Sequence, residues 1–199
     1  MVNLFQFRPL AISIFLFSLK SFSLPVCPDD PSKVWDMCSG SYLYDGGEMY
    51  SGEWKDNLYH GEGVFFYSNG DRFIGFFEKD IPHGHGTYSY LSGDLYVGQW
   101  VEGKRQGKGS YAHRINEWEN DLYVGDFIED KKEGVGIYTY SDGVKYIGEF
   151  KDDVKHGKGK YLYLNGESEE IECFMDSCKA IVSLPDTGEF KIETPQQVD

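Results

Sequence analysis

Histidines are the first side chains in this sequence that could bind a metal or transfer a proton. His60, His83 and His156 occupy equivalent positions of a repeating pattern, and His83 and His85 form a close pair. A strand would place this pair on one face, where a surface metal site is conceivable. Because such sites need further protein ligands and the sequence indicates no third one, we predict that no residue of this chain binds a metal.

Acidic residues are abundant and also periodic. Each recurring acid follows a predicted turn, which makes turn formation and solubility its first role, although a row of them along one edge could also collect calcium weakly. Glycosidase chemistry needs two carboxylates at a set distance across a cleft, and a periodic series contains no unique pair. The recurring acids are Glu48, Asp71, Asp94, Asp121 and Glu167.

Motifs for covalent catalysis and for cofactor binding are missing from the sequence. No Ser or Cys lies in a nucleophile motif such as G-x-S-x-G, and no phosphate-binding glycine loop opens a helix. We therefore predict a protein that is not an enzyme, with no catalytic residues and no cofactor.

The four cysteines lie in two pairs, one toward each end of the chain. An even number of cysteines in an exported chain indicates disulfides, and among the three possible connectivities we favour Cys27 with Cys38 and Cys173 with Cys178. A loop of the first size would stabilise the fold by about 3 kcal/mol in the chain-entropy model. Metal binding is the weaker alternative, because neither pair is a C-x-x-C motif.

The N-terminus has the features of a signal peptide over residues 1–23. Arg8 precedes an apolar run from Leu10 to Leu19, and Ser21 and Ser23 supply the small residues of a cleavage site. We predict a mature chain that begins near Leu24 and is secreted or periplasmic. The apolar run is shorter than the ~20 residues that span a bilayer, so a retained membrane anchor is the second alternative.

The charge of the chain opposes polyanionic partners. The formal net charge is −14, and loss of residues 1–23 would leave 17 basic side chains against 33 acidic ones. Nucleic acid and acidic phospholipids are bound through clustered Lys and Arg, which this chain largely lacks. We predict no nucleic-acid partner and regard contact with membrane lipid as disfavoured. A length of 199 residues fits one domain or one repeat array.

A repeat of 23 residues fills most of the chain. An aromatic residue two positions before a glycine begins each unit, and a G-x-G motif starts nine residues after that glycine. One interval is longer by four residues, and the insertion lies around residues 113–121. The first glycines are Gly52, Gly75, Gly98, Gly125 and Gly148, and the G-x-G motifs begin at Gly61, Gly84, Gly107, Gly134 and Gly157.

Each unit has the pattern of a β-hairpin. Tyr50 and Trp54 stand four residues apart, as aromatic residues on one side of an extended strand do. Asn69-Gly70 and its equivalents at the unit junctions are typical of tight turns with positive φ. The G-x-G glycines leave room for rings of the neighbouring strand. We predict an all-β fold: a single elongated, twisted antiparallel sheet in which stacked hairpins form aromatic ladders.

This pattern resembles the MORN (membrane occupation and recognition nexus) repeat family, and residues 50–71, YSGEWKDNLYHGEGVFFYSNGD, carry the likeness best. The resemblance implies interaction rather than chemistry. It divides the chain into an N-terminal cap and half repeat, five repeats, and a C-terminal cap and tail with both ends closed by the disulfides. The ranges are 24–49, then 50–72, 73–95, 96–122, 123–145 and 146–168, then 169–199.

The insertion, residues 112–120, departs from the repeat and is the predicted partner contact. It replaces a ladder Tyr by His113 and adds Arg114 and Trp118, two residue types common in interfaces. A tolerated longer turn is the alternative.

We predict a scaffold or binding protein of the cell envelope or secreted space that holds a protein partner, or a second copy, on an aromatic, acidic sheet face. Association with acidic lipid and stacking on a carbohydrate are the alternatives.

Overall fold

The computed structural model describes residues 24–30, 32–116 and 119–181. Over these ranges the chain is all β, with thirteen antiparallel strands in one open sheet whose order follows the sequence. The predicted fold class is confirmed. The strands are β1 (Cys38–Leu43), β2 (Met49–Lys55), β3 (Leu58–Phe66), β4 (Arg72–Glu78), β5 (Ile81–Ser89), β6 (Leu95–Val101), β7 (Lys104–Arg114), β8 (Asn120–Ile128), β9 (Lys131–Thr139), β10 (Lys145–Lys151), β11 (Val154–Leu162), β12 (Ser168–Phe174) and β13 (Ser177–Ala180).

Two kinds of turn alternate along the sheet. The junction turns between units use the predicted glycines, and Gly70, for example, has a φ of 89°. The turns within units were not predicted from the sequence, because most of them contain no glycine. Asp56 and Asn57 have φ values of 53° and 64°, and Asp and Asn tolerate this region better than other residues with a Cβ. Such two-residue turns match the twist of the strands that they connect.

Two aromatic ladders form the core. The first residue of each unit is at most 1 % exposed, and the aromatic residue four positions later is at most 5 % exposed. The rings meet edge to face across the unit boundary, as Phe73 does with Trp100 at 5.2 Å between centroids and Tyr96 with Phe127 at 5.0 Å. Edge-to-face pairs are the favoured arrangement of aromatic side chains. The ladders are Tyr50, Phe73, Tyr96, Tyr123 and Tyr146, and Trp54, Phe77, Trp100, Phe127 and Phe150.

The two glycines of each G-x-G motif have different structural roles. A Cβ at Gly63 would lie 2.6 Å from Cε2 of Tyr50, so this position must stay open for the ring, as predicted. Gly61 instead has a φ of 58° and sits where the β2–β3 register shifts. The Tyr50 hydroxyl donates a hydrogen bond to the Glu53 carbonyl oxygen at 2.9 Å, beside this irregularity. One glycine therefore accommodates the ring, and the other the backbone irregularity.

The turn inside each hairpin is bonded to the preceding hairpin. Asp80 accepts a hydrogen bond from the Tyr59 amide at 2.7 Å, and the Asp80 amide donates to the Tyr59 carbonyl at 3.1 Å. In the next unit the first bond is impossible, because Pro82 has no amide hydrogen. The turn residue there is Gly103, which keeps only the bond to the Pro82 carbonyl, at 3.0 Å. The same pair of bonds links Arg105 with Asp130, Lys132 with Asp153 and Lys155 with Asp176.

Disulfides close both ends of the sheet. Cys27 bonds to Cys38 and Cys173 bonds to Cys178, which confirms the predicted pairing. The first disulfide holds the segment before β1 along its free edge, where Val26 forms a parallel bridge with Ser39. Covering an edge strand in this way removes a site for unwanted pairing.

The predicted signal peptide, residues 1–23, and the end of the predicted C-terminal cap and tail, residues 182–199, lie outside the described residues. Within the described ranges, no helix is long and apolar enough to cross a membrane.

Candidate binding face

The two faces of the sheet differ in chemistry. We call the side that carries the two ladders the aromatic face, and the other side the opposite face. The opposite face bears partly exposed β-branched side chains such as Val97 and Val124, which are 44 % and 47 % exposed. On the aromatic face a further set of tyrosines packs against the buried ladders or against the tyrosines beside them, and part of each ring is exposed. This rim consists of Tyr44, Tyr67, Tyr90, Tyr140 and Tyr163.

Three basic side chains form a row on the aromatic face. Arg105, Lys132 and Lys155 lie on β7, β9 and β11, each opposite a second-ladder ring on the strand before it. Tyr59 and Pro82 occupy the same position in the first two units. This register position is therefore uncharged in the first two units and cationic in the last three.

Arg105 is held in place by rings and by a carboxylate. Its guanidinium lies 5.7 Å from the Tyr96 ring centroid, 5.5 Å from Tyr111 and 5.4 Å from Phe127. Its Nε donates to Oδ1 of Asp130 at 3.2 Å, and 19 % of the side chain is exposed. A planar guanidinium stacks on aromatic faces and pairs with carboxylates at the same time, which fits this site.

Lys132 has less compensation for its charge. Its Nζ lies 5.5 Å from the Tyr123 centroid and 5.4 Å from Tyr138. Burial lowers the pKa of Lys132 from its ordinary value, even though the nearby Asp153 acts in the opposite sense. An additional carboxylate at Lys132 would stabilise its charged form.

Lys155 is bonded to tyrosine hydroxyls. Its Nζ lies 3.1 Å from the Tyr161 hydroxyl oxygen and 5.2 Å from the Tyr140 ring centroid. Burial alone would lower the pKa of Lys155, but hydrogen bonds with Tyr140 and Tyr161 raise it, so the group stays protonated. All three members of the row thus lie among aromatic rings on one face of the sheet.

Recurring carboxylates join consecutive units at the rim of the aromatic face. Asp71 accepts hydrogen bonds from the Tyr88 hydroxyl and the Leu91 amide, both at 2.8 Å. Asp94 does the same with Tyr111 and with the Arg114 amide. Their role exceeds the predicted one in turns and solubility. The third such pair is Asp121 with Tyr138.

These bonds should make the stability of the fold depend on pH in the acidic range. Burial would raise the pKa of Asp71 and Asp94, but the backbone amide and tyrosine bonds outweigh it, so both pKa values lie below the ordinary 3.8. Stabilisation from a lowered pKa is present above the unfolded value and is lost as pH falls through the folded value. Urea unfolding of the double variant Asp71→Asn/Asp94→Asn should show a free energy of unfolding about 2 kcal/mol lower than that of the wild type at pH 7. Between pH 5 and 2, the variant should lose less stability than the wild type does. An acid response equal to the wild type's would contradict this.

Open clefts separate the units on the aromatic face. One of about 330 Å³ is lined by Tyr59, Tyr67 and Asp80 among others, and it is largely apolar. Another of about 300 Å³ lies where the insertion replaces a rim tyrosine, and it is lined by two cations, Arg105 and Lys132, and by two carboxylates, Asp121 and Asp153. The aromatic face thus offers concave sites at different units, and one of them contains two members of the basic row.

The insertion extends the β7–β8 hairpin instead of forming a separate loop. His113 pairs with Asp121 and Arg114 with Asn120 in continuous register. His113 also lies beside Asp94, with Nδ1 3.2 Å from Oδ1. Arg114 is exposed and lines a separate cleft with Leu95 and Ala112, whereas Trp118 lies outside the described residues. Their predicted partner contact remains a prediction.

The predicted His83 and His85 pair is not joined by further ligands. His83 lies 4.0 Å from Glu78, and within the described ranges no group of three or more His, Cys, Asp or Glu could hold a metal.

The basic row was not recognised from the sequence, where these residues appear as lysine-rich spots. The structure separates the adjacent cations. Lys104 and Lys131 are exposed and pair with Glu129 and Asp152, while the residue after each lies on the aromatic face. A usable signal exists: each member of the row precedes a tyrosine by six residues, an even interval that places both on one face. These tyrosines are Tyr111, Tyr138 and Tyr161.

Serial hairpins in one layer, with a ladder core and one open aromatic face, define a β-hairpin repeat protein. The MORN repeat model matches residues 50–72, 73–95, 96–113, 123–145 and 146–168. The chain belongs to the MORN repeat family. This family is generally non-enzymatic, and its repeats indicate a binding or scaffolding role.

No curated protein is similar enough to this chain to match it. Among solved structures, the chain is similar to the TCP domain of SAS-4 (dCPAP) of Drosophila melanogaster, in complex with a proline-rich motif of Ana2 (dSTIL). The two sequences are 16 % identical, and the match covers 74 % of this chain and 97 % of that chain with a TM-score of 0.23. A TM-score this low carries no inference about the present chain.

Proposed function

We propose that this protein is a non-enzymatic scaffold that holds a protein partner on its aromatic face. The observation that carries the proposal is the partly exposed tyrosine rim over a rigid, fully bonded sheet, with clefts at successive units. Tyr and Arg supply much of the energy in protein interfaces, and a rigid surface loses little entropy on binding.

The exposed end of the insertion is a second, peripheral part of the proposed contact. Arg114 lines a separate cleft with Leu95 and Ala112, and alternation along β7 places its side chain on the other side of the strand from His113. A partner that extends around the end of the β7–β8 hairpin would reach Arg114, and Trp118 follows it by four residues in the sequence. Both are therefore proposed as peripheral contacts.

We place the protein in the cell envelope or the secreted space. Two disulfides are consistent with an oxidising compartment, and within the described ranges no cysteine is free. Cleavage of residues 1–23 is part of this proposal. Mass spectrometry of the exported protein should show a mature chain that begins near Leu24.

Binding to acidic lipid is the second candidate function. The row of three cations is the observation that favours it, and the net charge of −14 opposes it. Flotation with anionic vesicles separates the two candidates.

Affinity capture with the oxidised mature chain tests the proposed scaffold. The double variant Tyr90→Ser/Tyr140→Ser removes two rim rings, and it should reduce recovery of a stoichiometric partner by about tenfold or more. The matched control Val97→Ser/Val124→Ser removes two apolar side chains from the opposite face and should retain the partner.

Circular dichroism confirms that both double variants fold. Equal loss in both, or no loss in the rim variant, would refute the assignment of binding to the aromatic face. A third arm, Trp118→Ala, reports separately on the insertion.

A further inference from the structure

The basic row has a spacing that a ligand could match. Arg105, Lys132 and Lys155 lie at one register position on alternate strands, two strands apart in each case. Neighbouring strands are about 4.8 Å apart, so successive cations are displaced by about 9.6 Å across the sheet. The insertion does not disturb this spacing, because it lengthens the β7–β8 hairpin at its far end.

An extended polypeptide has a matching period when it crosses the strands. Three residues of polyproline II helix complete one turn and advance by about 9.3 Å, so side chains at every third position face successive units. In a β-strand, residues three apart point to opposite sides, so the matching conformation is polyproline II. A helical ligand would need about six residues for the same distance, at 1.5 Å per residue.

The charge of the row selects the side chains that would face it. Each cation is partly desolvated among rings, and Lys132 and Lys155 have no carboxylate within salt-bridge distance in the described residues. A carboxylate is the natural partner of such a group. The surrounding tyrosines also offer hydroxyl donors and apolar ring surface for the residues between the charges.

Acidic side chains of the protein lie close to the row. Asp130 is bonded to Arg105, and Asp121 and Asp153 line the cleft with Lys132. More distant exposed charges are screened beyond about 8 Å at physiological salt, so a ligand carboxylate competes mainly with these three and must contact the cations directly.

We propose that the C-terminal half of the aromatic face binds an extended acidic segment of the partner, with carboxylates at every third residue on Arg105, Lys132 and Lys155. This proposal deepens the proposed scaffold function and rests on it. The same register position in the first two units, at Tyr59 and Pro82, binds the uncharged continuation of the same segment.

Short synthetic peptides test the proposal by fluorescence anisotropy with the oxidised mature chain. The first peptide carries Asp at every third position, the second has the same composition in scrambled order, and the third has Asn in place of each Asp. The periodic acidic peptide should bind at least about tenfold more tightly than either of the others, which corresponds to 1.4 kcal/mol.

Two charge variants locate the contact. Lys132→Gln/Lys155→Gln should lower the affinity for the periodic peptide by about tenfold or more. Lys108→Gln/Lys158→Gln removes the same charge from two exposed positions in the G-x-G motifs, and binding should change less than about twofold in this control.

Equal binding of the periodic and scrambled peptides, or equal losses in the two charge variants, would overturn the acidic-segment proposal. Binding of anionic vesicles that depends on Lys132 and Lys155, with no peptide bound, would overturn it as well. If the Asn peptide binds as tightly as the acidic one and Tyr90→Ser/Tyr140→Ser abolishes it, the acidic segment is wrong while the scaffold function stands.

Discussion

Replacing Phe73 by Ala should lower the free energy of unfolding by about 4 kcal/mol. Phe73 is fully buried, its ring lies 5.0 Å from Phe77 and 5.2 Å from Trp100, and it covers Gly75 and Gly86. The truncation leaves a cavity between two units that rigid backbone on both sides cannot fill. Urea denaturation monitored by tryptophan fluorescence measures the loss.

Phe76→Ala is the matched control for this effect. Phe76 lies on the same strand, three residues away, but it faces the opposite side and is 45 % exposed. Its loss should cost less than about 1 kcal/mol, because little apolar surface leaves a buried environment. Similar costs for the two variants would show that the buried and open faces are assigned wrongly.

Adding one methyl group at Gly136 should cost about 3 kcal/mol. A Cβ at Gly136 would lie 2.5 Å from Cε2 and 2.8 Å from Cζ of Tyr123, a ring that is 1 % exposed. The ring cannot move away, because it also packs against Phe127 and its hydroxyl is bonded to the Asp126 carbonyl. Gly136→Ala therefore forces the β8–β9 hairpin apart.

Gly46→Ala provides the comparison for this second variant. A Cβ at Gly46 meets only Oε2 of Glu48 at 3.6 Å, an ordinary contact, and its φ is not in the left-handed region. Its stability should be within about 0.5 kcal/mol of the wild type. The idea that the second glycine of each G-x-G motif makes room for a ring fails if both variants unfold at the same urea concentration.

The sequence contains enough local information to predict the repeat, the hairpins and the ladders. Spacing by even numbers determines which aromatic residues share a face, and glycine marks the junction turns because other residues rarely adopt positive φ. The disulfides were predictable for a similar reason, since each joins cysteines close together in the chain. The turns inside the units were missed because Asp and Asn replace glycine there.

Contacts between units could not be predicted with the same certainty. The bonds from Asp80 to Tyr59 and from Asp71 to Tyr88 join residues 21 and 17 positions apart. Whether two such groups meet depends on the register at each backbone irregularity and on the way in which hairpins stack. The replacement of Asp by Gly103 opposite Pro82 becomes intelligible only once these bonds are seen.

The sequence alone therefore determined the all-β repeat architecture, the paired cysteines and the set of core rings, because these depend on periodicity and short-range geometry. Tertiary structure decided that one aromatic face remains open over the described residues and that Arg105, Lys132 and Lys155 line up on it. The reason is physical: the same lysine-rich dipeptides place one cation in solvent and the next among rings, and only the packing of neighbouring strands shows the environment of each.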